Sequence, residues 1–145
     1  MFPGQGRIRS AAVPLAAASA LLMLIGGCSG GGGYDSYSGK VQNTDIVGRW
    51  TSNCGAVLDA TANGGMTFTS FPVSFDPSTN NTTGTYSGPG TWSINGGVGD
   101  TDPQLQVETA KEGYYLDFAT VDGKLGFAIA LGDPDDADFC LFAQS

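Results

Sequence analysis

The chain contains no histidine and few charged residues. Of its 145 residues, 6 are Lys or Arg and 14 are Asp or Glu, which gives a formal net charge of −8. Without histidine, neither a Ser-His-Asp triad nor a His-ligated zinc site is available, because both need an imidazole ring. The net negative charge argues against nucleic acid as a partner, since binding phosphates requires a basic surface. The length allows one domain.

The sequence also lacks an N-terminal apolar run as long as the about 20 residues that a membrane-spanning helix needs. The run from Ala11 to Ile25 follows Arg7 and Arg9 and is interrupted by Pro14. A basic start followed by a short apolar run is typical of an export signal. We therefore predict a signal peptide over residues 1–27.

The end of this run, Leu24-Ile25-Gly26-Gly27-Cys28, resembles the lipobox of bacterial lipoproteins. In that family the cysteine carries a diacylglycerol and becomes the mature N-terminus. The resemblance implies that Cys28 is lipidated and anchors the protein to a membrane of the cell envelope. Ser29 after the cysteine implies the outer membrane where the host has two membranes, and otherwise the extracellular face of the cell membrane. An ordinary secretory signal with an incidental Cys28 is the alternative.

Residues 28–44 are predicted to be the lipidated cysteine and a tether. Ser29 to Gly33 reads Ser-Gly-Gly-Gly-Gly, a composition typical of flexible linkers. After Cys28 the chain holds all 14 acidic residues but only four basic ones, so the mature net charge is 4 − 14 = −10. Such a charge is expected to keep the chain soluble and to repel anionic lipid surfaces, and recognition of a basic partner is the alternative.

Cys54 and Cys140 are the two cysteines left beyond Cys28. An exported chain with two cysteines most often joins them in a disulfide bond. We predict this bond, which would tie the start of the domain over residues 45–145 to its end. A Cys-x-x-Cys sequence is absent, and this disfavours a redox-active thiol.

Beyond the tether the sequence predicts an all-β domain. Turn residues recur at intervals of roughly 8 to 12 residues, and apolar residues alternate over short stretches, as in small β-proteins. Eight such strands favour a small closed antiparallel β-barrel, with a β-sandwich as the alternative. The predicted strands are Asp45–Thr51, Met66–Phe75, Thr82–Ser87, Gly90–Asn95, Gln104–Thr109, Gly113–Thr120, Lys124–Leu131 and Ala137–Ala143.

One predicted strand has an irregular alternation. Met66 and Phe68 alternate in one register, whereas Phe71, Val73 and Phe75 alternate in the other. A β-bulge near Ser70 to Pro72 would reconcile the two registers. The alternative is that Pro72 divides the segment into two strands.

Asp122-Gly123 predicts a β-hairpin with a type I′ turn, because it separates two runs of strand-like residues. Alternation places Tyr114, Leu116 and Phe118 on one face of the first arm, and Leu125, Phe127, Ile129 and Leu131 on one face of the second. The opposite face of the second arm carries Gly126, Ala128 and Ala130, which are small for a solvated face. Either a loop or another subunit covers these residues, or the strand simply carries small residues.

Gly48-x-Trp50 resembles the signature that begins the first strand of lipocalins and other calycins. In those barrels the tryptophan plugs one end. The resemblance implies a non-enzymatic barrel, without a cofactor, that binds a small apolar ligand. The ligand-binding residues would be the large aromatic side chains in or near the interior, namely Trp50, Phe68, Tyr86, Trp92, Phe118 and Phe127. The alternative is an interior that these side chains fill.

The same Gly-x-Trp, a following cysteine and the later segment Trp92 to Gly96 resemble the small barrel inhibitors of bacterial metalloproteases. That family inserts its N-terminal segment into the protease. The resemblance implies a protein partner for the polar segment Tyr34 to Thr44. A plain tether is the alternative for that segment.

Acidic residues suggest little chemistry. Asp133 to Asp138 holds four carboxylates but lacks the spacing of an EF-hand loop, so we predict no metal site and leave calcium binding open. Glu108, Glu112 and Asp117 are candidates for a carboxylate pair. The strand pattern places Asp117 outward and Glu112 at a turn, so they are not expected to converge.

The sequence therefore predicts a membrane-anchored bacterial lipoprotein whose barrel is a binding module and not an enzyme. Its expected partners are the membrane, through the lipid, and a small apolar ligand. A protein partner, or a structural lipoprotein without any ligand, stays as an alternative.

Overall fold

The computed structural model describes residues 33–96, 102–133, 135 and 138–145. The predicted signal peptide over residues 1–27 and the predicted lipidation at Cys28 lie outside the described residues. Pro134, Asp136 and Ala137 of the acidic segment also lie outside them. Within the described ranges, no helix has the length and apolar character needed to cross a membrane.

Most of the described chain is β-strand and almost none is helix, which confirms the predicted all-β class. One helical turn, α1, covers Asn43–Ile46. The strands are β1 (Asp35–Ser36), β2 (Gly48–Ser52), β3 (Val57–Ala60), β4 (Gly65–Asp76), β5 (Asn81–Asn95), β6 (Gln104–Glu108), β7 (Gly113–Val121), β8 (Lys124–Leu131) and β9 (Asp138–Gln144).

Strands β2 to β9 close into an eight-stranded antiparallel barrel. Each of these strands pairs with the next along the chain, and β9 returns to β2, where Trp50 lies opposite Gln144. This closing pair distinguishes a barrel from a sandwich and confirms the predicted architecture. The short β1 is additional to the ring and pairs with β7.

Two strand predictions need correction near the start of the domain. The expected strand Asp45–Thr51 begins only at Gly48, since Asp45 and Ile46 belong to α1. The strand β3, which pairs with both β2 and β4, was not among the predicted strands. With four residues and one aspartate, β3 is too short to show a clear alternation, so only its neighbours define it.

The two predicted strands Thr82–Ser87 and Gly90–Asn95 are one strand, β5. The sequence Ser87-Gly88-Pro89-Gly90 has the composition of a turn, yet the chain continues through it. At Gly90 a Cβ atom would overlap the backbone carbonyl of Glu108 on β6 and would lie 2.6 Å from the Phe68 ring. The glycine therefore serves close packing against the neighbouring strand and a core side chain, and does not mark a turn.

The predicted bulge and hairpin are both confirmed. The β4–β5 register shifts between Phe68 and Phe71, with Ser70 at φ +51°, and β4 continues through Pro72. At the β7–β8 turn, Asp122 and Gly123 both have positive φ (+50° and +76°). Positive φ at both central residues is the requirement of a type I′ turn.

Side chains on the inner face of the barrel form one core. The predicted alternation in β7 and β8 is correct, because Phe118 lies opposite Phe127 and both are buried. Every strand of the ring contributes to this core, whose buried members include Trp50, Leu58, Met66, Phe68, Trp92, Leu105, Val107, Leu116, Phe127 and Phe142.

Each end of the barrel is covered by a segment that extends beyond the ring of eight strands. At the α1 end, which includes α1 and the turns after β3 and β7, Ile46 is fully buried. At the disulfide end, which includes the turns after β2, β4 and β6, the β4–β5 hairpin extends beyond its neighbours and buries Phe71. The predicted bond between Cys54 and Cys140 is present there, with Cα atoms 5.4 Å apart.

Candidate functional site

Five of the six aromatic residues predicted to bind a ligand are buried in the barrel. Trp50, Phe68, Trp92, Phe118 and Phe127 each expose at most 7% of their surface. Tyr86 is half-buried, and its hydroxyl donates a hydrogen bond to the Pro89 carbonyl at 2.6 Å.

These rings contact one another. The Trp50 and Phe127 centroids are 4.1 Å apart, and Phe127 lies 6.1 Å from Phe118. On the other side, Phe68 meets Tyr86 edge to face at 5.6 Å. A ligand among these side chains would therefore have to displace rings that are in contact. Their role in ligand binding stays a prediction.

Both tryptophans direct their indole nitrogens toward the α1 end. Trp50 Nε1 donates to the Ile46 carbonyl at 2.8 Å, and Trp92 Nε1 donates to the Thr61 carbonyl at 3.0 Å. Each buried donor therefore has a partner. Through its bond, Trp50 fixes α1 over the end of the barrel.

The segment of residues 33–42, here called the arm, docks on the outside of the barrel. Asp35 and Ser36 pair with Thr120 and Ala119 of β7, and the Tyr37 amide donates to the Phe118 carbonyl at 3.0 Å. The arm occupies the edge of β7 beyond the point where β6 begins. Residues 33–44 of the predicted tether therefore pack against the barrel and include β1 and part of α1.

Tyr34 anchors the arm to two strands, β7 and β9. Its hydroxyl donates to Asp117 of β7, and its ring meets Phe139 of β9 edge to face at 4.9 Å. Ala128 lies opposite Asp117 and Ala130 lies opposite Phe139, so Tyr34 crosses the outer face of β8. A loop thus covers part of the small-residue face, which was one of the predicted alternatives.

The glycine on this face is required by close packing. A Cβ atom at Gly126 would lie 2.5 Å from the Phe142 carbonyl oxygen and from the Val121 side chain. Ala128 is 2% exposed. The small residues of β8 therefore let neighbouring chain approach closely, and they are not a bare surface.

A cleft of about 510 Å³ opens at the α1 end, between the arm, the β7–β8 turn and the end of β9. We call it the α1 cleft. Apolar groups from the barrel wall and charged groups from the surrounding segments share its lining. The residues are Tyr37, Lys40, Thr44, Asp45, Trp50, Val121, Asp122, Lys124, Leu125, Ala143 and Gln144.

A second cleft, of about 590 Å³, lies on the other side of Tyr37. We call it the Asp117 cleft. The arm forms most of its wall, and no Lys or Arg is among the lining residues that the structure describes, which are Tyr34, Ser36, Tyr37, Ser38, Gly39, Asp102, Pro103, Asp117 and Phe118. Tyr37 is thus the wall that the two clefts share.

Hydrogen bonds fix the orientation of the Asp117 carboxylate. Gln104 Nε2 donates to Oδ1 at 2.6 Å, and the Tyr34 hydroxyl donates to Oδ2. Partial burial, together with the hydrogen bond and the charge of Asp117, raises the pKa of the Tyr34 phenol well above its usual range. Tyr34 therefore remains protonated and donates this bond throughout the neutral range.

The other candidate carboxylates interact with different groups. Gln106 donates to Glu108 at 3.1 Å, and Tyr114 donates to Glu112 at 3.2 Å. Glu112 lies in the β6–β7 turn and Asp117 lies on the outer face of β7, as the alternation predicted. The described residues contain no group of three or more His, Cys, Asp or Glu that would hold a metal ion.

Sequence reasoning missed most residues of the two clefts. Of the six predicted aromatic residues, Trp50 lines the α1 cleft and Phe118 lines the Asp117 cleft. The two tyrosines of the arm, Tyr34 and Tyr37, were visible as aromatic residues in an otherwise polar segment. Tyr34 contacts Asp117 of β7 and Phe139 of β9. Because Asp117 lies more than 80 positions away in the sequence, no local pattern could predict this contact.

Comparison of the chain with known protein families, with curated proteins and with solved structures found no match.

Proposed function

We propose that this protein is a lipid-anchored, non-enzymatic binding protein of the bacterial cell envelope, which takes a small and largely apolar ligand in the α1 cleft. The observation that carries the proposal is the position of this cleft at the α1 end of the barrel, where Val121 and Leu125 contribute apolar surface beside charged side chains of the arm and the β7–β8 turn. Inside the barrel, by contrast, the aromatic rings contact one another.

The lining of the α1 cleft supports a ligand of this class. Its volume of about 510 Å³ falls in the range of small-molecule sites, which are roughly 300 to 1,000 Å³. Val121 and Leu125 supply apolar surface within a lining in which polar and charged residues outnumber the apolar ones. Lys40 and Lys124, with Asp45 and Asp122, supply charges of both signs around it, which suits a ligand with one polar group.

The lipid anchor at Cys28 rests on the lipobox resemblance. The docked arm limits how far the barrel could lie from the membrane. The arm contacts the barrel from Gly33 onward, since a Cβ atom at Gly33 would overlap the Phe139 ring. Only residues 29–32 then separate the lipidated cysteine from the barrel. Because an extended chain spans about 3.5 Å per residue, the barrel would stay within roughly 20 Å of the membrane surface.

The test uses the two tryptophans as separate reporters. In the whole mature chain with Cys28→Ser, Trp92→Phe leaves Trp50 as the single tryptophan, and Trp50→Phe leaves Trp92. Titration with the neutral dye Nile red is expected to quench the emission of both, because both indoles lie toward the α1 end. Emission that stays unquenched at high dye concentration would mean that the dye does not bind.

A pair of matched variants locates the binding. Val121→Glu places a charge in the α1 cleft and is expected to weaken dye binding at least tenfold. Val73→Glu makes the same change at a half-buried position of β4 away from this cleft and is expected to leave binding unchanged. If both variants bind the dye as the parent does, the α1 cleft is not the site.

Protein recognition, including protease inhibition, is the second candidate and is favoured by the arm. Asp35 and Ser36 are exposed on a strand of only two residues, so the arm presents side chains to a partner. Deleting residues 34–44 would not separate the two candidates, because Tyr37, Lys40 and Thr44 also line the α1 cleft. Asp35→Arg does separate them, since Asp35 lines neither cleft: it should weaken a protein partner and leave Nile red binding intact.

A further inference from the structure

The Asp117 cleft has a composition that suits a positively charged organic group. Its lining combines the aromatic rings of Tyr34 and Tyr37 with the carboxylates of Asp102 and Asp117. Aromatic faces and carboxylates both attract cations, the first through the ring quadrupole and the second through charge. The cleft thus offers a cation two kinds of attractive wall.

The charges around the cleft point the same way. Lys40 follows Gly39 directly in the chain, but it lines the α1 cleft on the other side of Tyr37. The two carboxylates come from separate elements, Asp102 from the segment before β6 and Asp117 from β7. An anionic ligand would meet both of them without a compensating lysine or arginine in the wall.

The Asp117 carboxylate is oriented before any ligand arrives. Each of its oxygens accepts one hydrogen bond, from Gln104 and from Tyr34, and a carboxylate oxygen can accept a second. The wall opposite is also held in place. A Cβ atom at Gly39 would lie 2.5 Å from the Tyr37 ring, so this ring rests on the backbone of the arm. A preorganised site spends little binding energy on ordering its own groups.

The size and the ligand set disfavour a bare metal ion. Calcium takes six to eight oxygen ligands, and the described residues hold no cluster of three or more His, Cys, Asp or Glu. A cleft of about 590 Å³ accommodates an ammonium group together with the carbon chain that carries it. The aromatic rings then contact that chain as well as the charge.

We propose that the Asp117 cleft is a binding site for a primary alkylammonium group, in which Asp102 and Asp117 pair with the charge and Tyr34 and Tyr37 contact the charge and its carbon chain. This site is separate from the α1 cleft. It does not depend on the function proposed above, and it takes the opposite class of ligand.

The experiment is an NMR titration of the whole mature chain carrying Cys28→Ser with n-pentylamine. We expect amide shift changes centred on Ser36 to Gly39 and on Asp117. 1-Pentanol has the same carbon chain without the charge and is expected to produce at least tenfold weaker binding. Equal binding of the alcohol, or shift changes spread evenly over the surface, would overturn the proposal.

Two variants assign the charge contacts. Asp102→Asn changes an exposed residue and is expected to weaken pentylamine binding about tenfold, and Asp117→Asn is expected to do the same while keeping an oxygen acceptor for Tyr34. Asp122→Asn removes one negative charge in the other cleft and is the matched control, with an expected change below twofold. If all three variants weaken binding equally, the amine responds only to the overall charge of the protein, and the proposed site is wrong.

A third variant separates this proposal from the function proposed for the α1 cleft. Val121→Glu is designed to abolish binding in that cleft and is expected to leave the pentylamine affinity within twofold of the parent. Loss of Nile red binding with retained amine binding would show two independent sites. Loss of both would mean that the amine depends on the α1 cleft, which contradicts the separate site.

Discussion

The two ends of the barrel are closed by different means. At the disulfide end, the bond between Cys54 and Cys140 links the β2–β3 turn to β9, and the β4–β5 hairpin places Phe71 against Phe68, Tyr114 and Phe142. At the α1 end, closure depends on one helical turn, the buried Ile46 and the hydrogen bond from Trp50. One end is held by a covalent bond together with packing, and the other by packing and a hydrogen bond.

This difference indicates which end of the barrel opens more easily. A covalent link across 86 positions of sequence limits opening at the disulfide end even when local packing fluctuates. At the α1 end, a short helix and an arm with a two-residue strand can separate without breaking the barrel ring. The α1 cleft lies at this second end, and the Asp117 cleft adjoins it through Tyr37.

The largest expected effect comes from removing the covalent closure. The double variant Cys54→Ala/Cys140→Ala is expected to lower the free energy of unfolding by about 4 to 5 kcal/mol, because the unfolded chain regains the freedom of a long loop. Urea denaturation of the mature chain measures the change, with the chemically reduced parent as the control. A loss below about 1 kcal/mol would mean that packing, and not the bond, closes this end.

The packed closure is tested by Ile46→Ala. Truncating this fully buried side chain is expected to cost about 3 kcal/mol, since a cavity remains under α1. Hydrogen exchange should accelerate at residues 47–50 and near the C-terminus, while amides next to Cys140 stay protected. Phe71→Leu is the matched change at the other end. If Ile46→Ala accelerates exchange equally at both ends, the ends do not open independently.

Trp50→Phe tests how much one hydrogen bond contributes to closure of the α1 end, because it removes the bond to the Ile46 carbonyl. We expect a loss of about 2 kcal/mol, because a buried acceptor is left without its partner. Trp92→Phe removes the corresponding bond to Thr61 from a residue that is 7% exposed, where water can replace the donor, and should cost less. Thermal unfolding of both variants checks the order, and the reverse order would contradict a special role of Trp50 in closure.

The smallest expected effect concerns pH at the disulfide end. The hydroxyl and the amide of Ser78 donate to Asp76 at 2.6 and 2.8 Å and lower the pKa of this carboxyl below its usual value. The charged form is therefore favoured in the folded state. Its contribution is present above the unfolded pKa of about 4 and is lost as the pH falls through the folded value.

Asp76→Asn tests this dependence. The wild type is expected to lose stability relative to the variant as the pH is lowered below about 4, as followed by urea midpoints. Ser78→Ala removes the hydroxyl donor and should reduce the same dependence. An identical pH profile for all three proteins would show that the hairpin tip contributes nothing to the acid sensitivity of this end.

Much of the barrel was readable from local patterns. Alternation in β7 and β8 identified their inner faces, and Asp122-Gly123 identified the turn between them. Local composition gave a wrong prediction where it conflicted with long-range packing. Gly88-Pro89-Gly90 has the composition of a turn, but the strand continues through it because Gly90 packs closely against Phe68. The short β3 was not predicted for a related reason. It is held in the sheet by pairing with β2 and β4, and its own residue pattern does not identify it.

The candidate sites were less accessible to sequence reasoning. The aromatic residues of the interior were identified correctly as inner-face side chains, but the sequence left open whether they line a cavity or fill it. The clefts depend on where the arm docks. Tyr34 meets Asp117 and Phe139, and contacts across such sequence distances leave no periodic signal in the arm itself.

By itself the sequence determined the all-β class, the paired cysteines and the inner faces of the hairpin, because strand alternation, turn chemistry and cysteine number are local or countable properties. The contacts between the inner aromatic rings, the packing of the arm on the barrel, and the wall of Tyr37 between the two clefts emerge only in the folded molecule. These features depend on volumes and on contacts between distant segments, which are set when the ring of strands closes and not by any stretch of residues alone.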